Sequence, residues 1–137
     1  MKIFLDTNVV LDYLTGREPF ADDAEAVIEI CTAEENEAVI TTLSACNIVY
    51  VLQKAIGKAL AEQRLKELLT LVGLVGVDAD SVTSSFDLPH SDFEDAVQSA
   101  EARAWGADVI VTRDPHGFAN SPIKVLGPAE FLDRFAL

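Results

Sequence analysis

Met1-Lys2-Ile3-Phe4-Leu5-Asp6-Thr7-Asn8 is the stretch on which the reading of the fold turns. Ile3-Phe4-Leu5 is apolar at consecutive positions, so a strand there is covered on both faces. The run stops at Asp6, and residues 7–14 follow with helical spacing as far as Gly16. A buried strand that ends on an acid and passes directly into a helix opens a βαβ unit. In sheets of that kind, ligands gather beyond the carboxyl ends of the strands.

The alternation continues downstream. Residues 21–35, 42–58, 60–72, 79–86, 91–105 and 128–135 carry helical patterns. Residues 38–41, 74–77, 109–111 and 124–126 read as short buried strands. Strands apolar on both faces, separated by helices, predict an α/β fold. Its form is a three-layer α/β/α sandwich around a mainly parallel, Rossmann-like sheet. A length of 137 residues buries a substantial core, and residues 1–137 read as a single domain.

Hydrophobic residues make up 50% and charged residues 24%, which excludes a disordered chain. The 10 Lys+Arg face 23 Asp+Glu, a net charge of −13. That excludes a basic scaffold gripping nucleic acid by counterion release. Nucleic acid stays open as a substrate, because bound divalent metals supply positive charge locally. No apolar run nears the ~18 residues of a membrane span, and Asp6 comes too early for a signal peptide. Cys31 and Cys46, read as buried helix residues, make neither a disulfide framework nor a zinc set. These features predict a cytoplasmic protein without membrane contact.

Asp6 ends the first strand, and Asp114 lies just beyond the fourth, in Thr112-Arg113-Asp114. Each has an ordinary explanation: Asp6 as a helix N-cap, Asp114, before Pro115, as a turn residue. Together they mark equivalent places in the architecture. A third acidic motif, Ser91-Asp92-Phe93-Glu94-Asp95, opens a helix. Ser91 and Glu94 have capping-box spacing, which accounts for Glu94. Phe93, Ala96, Val97, Ala100 and Ala104 form one apolar stripe, and Asp92 and Asp95 fall about 60° apart on its flank. Carboxylates converging in one crevice repel unless a cation sits among them. Oxygen-only ligands suit a hard ion, Mg²⁺ or Mn²⁺, of the kind that clamps phosphate and activates water.

With Asp6-Thr7-Asn8 after the first strand, Asp92…Asp95-Ala96 opening a helix, and Val111-Thr112-Arg113-Asp114 followed by Phe118, the chain resembles a PIN domain over essentially its whole length. The resemblance implies an Mg²⁺/Mn²⁺-dependent ribonuclease of α/β/α architecture, acting on RNA. It also implies the toxin of a toxin–antitoxin pair, with an antitoxin as partner, and a homodimer, to which Tyr50, Leu52 and Trp105 are candidate contributors. It further implies that Asp6, Asp95 and Asp114 hold the metal, with Asn8 and Thr112 orienting ligands or water. Asp92, on the flank of Asp95, is a source of compensating charge. One position departs from the family pattern: Asn47 stands early in the third helix, where most PIN nucleases carry Glu. An amide accepts a hydrogen bond from metal-bound water but adds no charge.

Lys54, Lys58, Arg64 and Lys66 form a candidate positive patch for an RNA backbone, and the acids of residues 18–37 a solvated face or a dock for a basic partner. Asp12 reads as a solvated helix residue, and His90 and His116 as surface loop residues. Haloacid-dehalogenase-type phosphatases need a second Asp where Asn8 stands, and receiver domains need paired acids where Asp6 stands alone. The stronger alternative is a PIN-like fold that no longer cleaves and serves as an RNA- or protein-interaction module.

Overall fold

A computed structural model describes residues 1–136; Leu137, the last residue of the expected domain, lies outside the described residues. Five strands, β1 (Lys2–Leu5), β2 (Glu37–Thr41), β3 (Gly73–Val75), β4 (Val109–Val111) and β5 (Lys124–Leu126), form one sheet in the order β3-β2-β1-β4-β5. All four pairings are parallel, with Phe4 of β1 level with Val39 of β2 and with Ile110 of β4. Seven α-helices connect and flank the strands among the described residues. They are α1 (Thr7–Thr15), α2 (Ala21–Cys31), α3 (Thr42–Ile56), α4 (Lys58–Leu68), α5 (Ala79–Ser85), α6 (Phe93–Trp105) and α7 (Pro128–Phe135). No described helix is long and apolar enough to cross a membrane.

Strand side chains alternate between two cores, as a doubly covered sheet requires. Ile3, Leu5, Ile40, Val109 and Val111 face one side, where Val9, Val27, Ile48 and Phe131 of α1, α2, α3 and α7 meet them. Phe4, Val39 and Ile110 face the other, against Ala102 of α6 and Phe118 of the short 3₁₀ turn Pro115–Phe118. The chain runs outward from β1 to β3, then returns to β4 on the other side of β1. The strand order therefore reverses between β1 and β4, and a crevice opens beyond their carboxyl ends.

Several sequence expectations change. β3 comes at Gly73–Val75 rather than 74–77, and Leu74 is exposed, because β3 is an edge strand and is not fully covered. The helix expected over 60–72 is α4, which begins at Lys58 and ends at Leu68. Cys31 is buried, but Cys46 is exposed, on a part of α3 that faces away from the core. Leu52 is a core residue, and so is unavailable to a dimer surface, whereas Tyr50 is exposed and Trp105 is half-buried beneath the Lys2 ammonium. The alanine stripe on α6 is only partly core. Ala96 and Val97 are buried, but so are Gln98 and Glu101, while Ala104 is exposed.

Asp12 is the largest change. It is 2% exposed and pairs with the Arg113 guanidinium at 2.5 Å, while Arg113 lies over the Phe20 ring at 4.2 Å. The partner sits 101 residues away, beyond the reach of local pattern. This pair ties the end of β4 to the middle of α1. Asp12→Ala leaves Arg113 without its partner and should lower the unfolding free energy by about 3 kcal/mol, measured by urea denaturation.

Candidate functional site

The reversal point brings Asp6 and Thr112 together. Asp6 continues the ladder, its N–H donating to the Val111 carbonyl at 3.0 Å. Its carboxylate caps α1: the Thr7 N–H donates to Oδ1 at 2.8 Å. The buried Thr112 hydroxyl donates to Oδ2 at 2.7 Å and accepts from the Asp114 N–H at 3.0 Å. Asn8 spans the same gap, its Oδ1 accepting from the Arg113 N–H at 3.1 Å and its Nδ2 reaching Thr112 Oγ1 at 3.4 Å. Both Asp6 oxygens are thus directed by donors from β1–α1 and β4.

The start of α6 supplies the second group. Asp92, not Ser91, is the N-cap; its Oδ1 accepts from the Asp95 N–H at 3.0 Å. The capping box expected from Ser91 and Glu94 therefore does not form. Glu94 is turned instead toward Asp92 and Asp95, with carboxylate oxygens of all three within 4.8 Å of one another. It is held there by Gln98 Nε2 at 3.3 Å, one turn along the helix. Gln98, fully buried, also donates to Ser44 Oγ of α3 at 2.8 Å, and Ser44 and Thr7 hydroxyls bond each other at 2.6 Å. A polar chain thus runs from the α1 start through α3 to Glu94.

Asp114 closes the arrangement through the 3₁₀ turn. A Cβ built on Gly117 would collide with the Asp95 carboxylate and lie 3.5 Å from Asp114 Oδ2. Gly117 therefore leaves room in which the two carboxylates come together, and any larger residue must displace Asp95. The charges register one another. Burial raises the Asp95 carboxyl to about 7, helped by Asp6, Asp92, Glu94 and Asp114. Burial also raises Asp6; its hydrogen bonds from Thr112 and Thr7 oppose this, while Glu94 and Asp114 reinforce it. Arg113, next in sequence to Asp114, points its guanidinium to Asp12 and offers these acids no counter-charge.

The structure thus brings together Asp6, Asp92, Asp95, Asp114, Asn8 and Thr112, and adds Glu94, which sequence spacing had assigned to capping. Asn47 lies half-buried one turn beyond Ser44, outside the Thr7–Ser44–Gln98–Glu94 chain. Of the basic patch, Arg64 is paired with Glu67 at 3.2 Å and Lys54 lies over the Tyr50 ring at 4.2 Å. His90 and His116 are exposed, yet both line a cleft of about 500 Å³ that begins at Asp95 and Gly117.

No curated protein sequence matches the chain. Solved structures share its fold. A chain of VapBC2 from Rickettsia felis, bound to a promoter DNA fragment, aligns with a TM-score of 0.71 at 16% identity, covering 93% of this chain and 98% of that one. FitAcB from Neisseria gonorrhoeae gives a TM-score of 0.71 at 18% identity, with coverage of 93% and 98%. VapC20 from Mycobacterium tuberculosis, a toxin that cleaves the sarcin–ricin loop, gives 0.64 at 16% identity, with coverage of 79% and 86%. The sequence profile of the PIN domain matches residues 2–116, most of the chain, so the protein belongs to the PIN domain family.

Proposed function

We propose that the 137 residues act as one unit, a metal-dependent ribonuclease hydrolysing RNA phosphodiester bonds. The observation that carries this reading is the Asp92–Glu94–Asp95 cluster, with carboxylate oxygens within 4.8 Å of one another. It lies beside Asp114 across Gly117 and close enough to Asp6 for the charges to register, with no protein cation among them in the described residues. The donor set fits a hard divalent ion: every candidate ligand is an oxygen, and no cysteine or histidine stands in the group. Asp6, Asp92, Asp95 and Asp114 would hold Mg²⁺ or Mn²⁺, with Glu94 the further carboxylate. Such an ion, when bound, offsets the carboxylate repulsion, holds a phosphate oxygen and lowers the pKa of water.

The chain's own residues fix the geometry. Thr112 and Thr7 hold the two oxygens of Asp6, so its carboxylate does not rotate away. Asn8 keeps Arg113 and Thr112 in register with α1. Gln98 holds Glu94 at the centre, and so keeps a negative charge there although Asn47 has none. Gly117 leaves the open side over Asp95 and Asp114.

The family and the toxin–antitoxin complexes among the structural neighbours support a toxin role, with an antitoxin as partner in the cytoplasm. The acids of α2, Asp22, Asp23, Glu25 and Glu29, are all exposed and suit a basic segment of that partner. A homodimer is part of the same proposal, with Tyr50 on its surface. The uncharged Asn47 favours a second reading, a PIN-like module that binds RNA or protein without cleaving.

Cleavage of single-stranded RNA with Mg²⁺ or Mn²⁺ separates the two readings. Wild type should cleave, and EDTA, Asp6→Asn and Gly117→Val should each reduce the rate by at least ~100-fold. Equal activity of Asp6→Asn and wild type would remove Asp6 from the mechanism. Wild-type protein that binds RNA yet never cuts it would establish the second reading.

The metal-free fold should also respond to pH. An unfolded aspartate titrates near ~4, and Asp95 in the fold titrates at about 7. The native state therefore holds this proton more tightly. Its contribution to stability is full below pH ~4 and is lost as pH rises through 7. The melting temperature of metal-free protein should fall over that window, and Asp95→Asn should flatten the fall. Metal competes with the proton, so Mn²⁺ should raise the melting temperature more at pH 8 than at pH 5.

A further inference from the structure

The cleft beginning at Asp95 runs along the outer face of α6. Its floor is made of small side chains, Ala96, Ser99, Ala100 and Ala104, and Arg103 stands toward its far end. This explains the exposed part of the alanine stripe: those residues leave space rather than fill a core. Arg103 is exposed and has no ion pair among the described residues, unlike Arg64 and Arg113. It lies eight residues beyond Asp95, or about 12 Å along the helix, which leaves room for a nucleotide between carboxylates and guanidinium.

The α5–α6 connection beside the cleft carries aromatic rings, of which His90 lines the cleft and Phe86 and Phe93 stand behind it. Phe86 stacks on Phe93 at a centroid distance of 4.6 Å, and His90, which lines the cleft, tilts against Phe93 at 5.7 Å. Phe86 is nevertheless 70% exposed, so one ring face is open to solvent. An open aromatic face beside a cleft with an unpaired guanidinium matches the chemistry of unstacked RNA bases and their phosphates.

We propose that this cleft is the path of a single RNA strand, with a base stacked on the Phe86–Phe93–His90 tier and a phosphate on Arg103. The proposal rests on the ribonuclease reading and adds where the substrate lies: on the α6 face, not on the α3–α4 lysines. Single-strandedness follows from the geometry, because a paired base keeps its faces covered and cannot stack on Phe86.

Fluorescence anisotropy of a labelled single-stranded RNA, with Ca²⁺ present and cleavage followed in parallel, tests the assignment. Phe86→Ala and Arg103→Ala should each weaken binding by roughly 5- to 100-fold. Arg103→Lys should retain most of the affinity, Lys58→Ala should match wild type, and Mn²⁺ binding should be the same in all four. Wild-type binding with no loss in Phe86→Ala or Arg103→Ala overturns this path and leaves the ribonuclease reading standing. Neither binding nor cleavage of RNA by wild type overturns both. If Phe86→Ala instead turns a dimer into a monomer in light scattering, the aromatic tier is a protein interface and the path is refuted.

Discussion

Mutual repulsion among Asp6, Asp92, Glu94, Asp95 and Asp114 is the force that the surrounding structure must contain. Three of these acids are fixed by hydrogen bonds. Asp6 takes donors from Thr7 and Thr112, Asp92 caps α6, and Gln98 holds Glu94. Asp114 is reached through the β4 end, which the Asp12–Arg113 pair anchors to α1. Three segments far apart in sequence are thereby fixed around one point, and parallel pairing of β1 with β4 sets the distance between them. Burial, reinforced by the like charges gathered around it, raises the proton affinity of Asp95.

How much of this the sequence discloses depends on how far apart the interacting residues lie. β1 and β4 are continuous apolar runs whose ends draw attention to Asp6 and Asp114, although each alone also reads as a cap or a turn residue. Asp95 is visible from helical phase alone. Glu94 is hidden because it has a local explanation as a cap, and because phase arguments weaken in a first helical turn, where side chains can fold over the open end. The residue that turns it inward, Gln98, gave no signal, since a buried glutamine looks like a surface one until Ser44 is placed beside it. Asp12 is hidden for the same reason, its partner being distant in the chain. β3 is weak in sequence and weak in the sheet, being an exposed edge.

Asn47 illustrates how charge in such a site can be redistributed. The third helix contributes no acid to the centre, yet it contributes Ser44, which through Gln98 sets the side chain of Glu94. The helix thus acts on the centre by position rather than by charge. The low identity to VapBC2 and FitAcB, alongside TM-scores of 0.71, shows that this architecture tolerates exchange of most individual residues.

The two cores have a consequence for control. α2, with its exposed acids, packs on one face of the sheet, while α6 and its cleft belong to the other. A cationic protein seated on α2 would therefore not cover the cleft or compete for it. Any influence of such a partner on the carboxylates would pass through the packed elements, as a coupling free energy rather than as occlusion. The segment best placed to carry it is α1, which packs against α2 and also holds Thr7, Asn8 and Asp12.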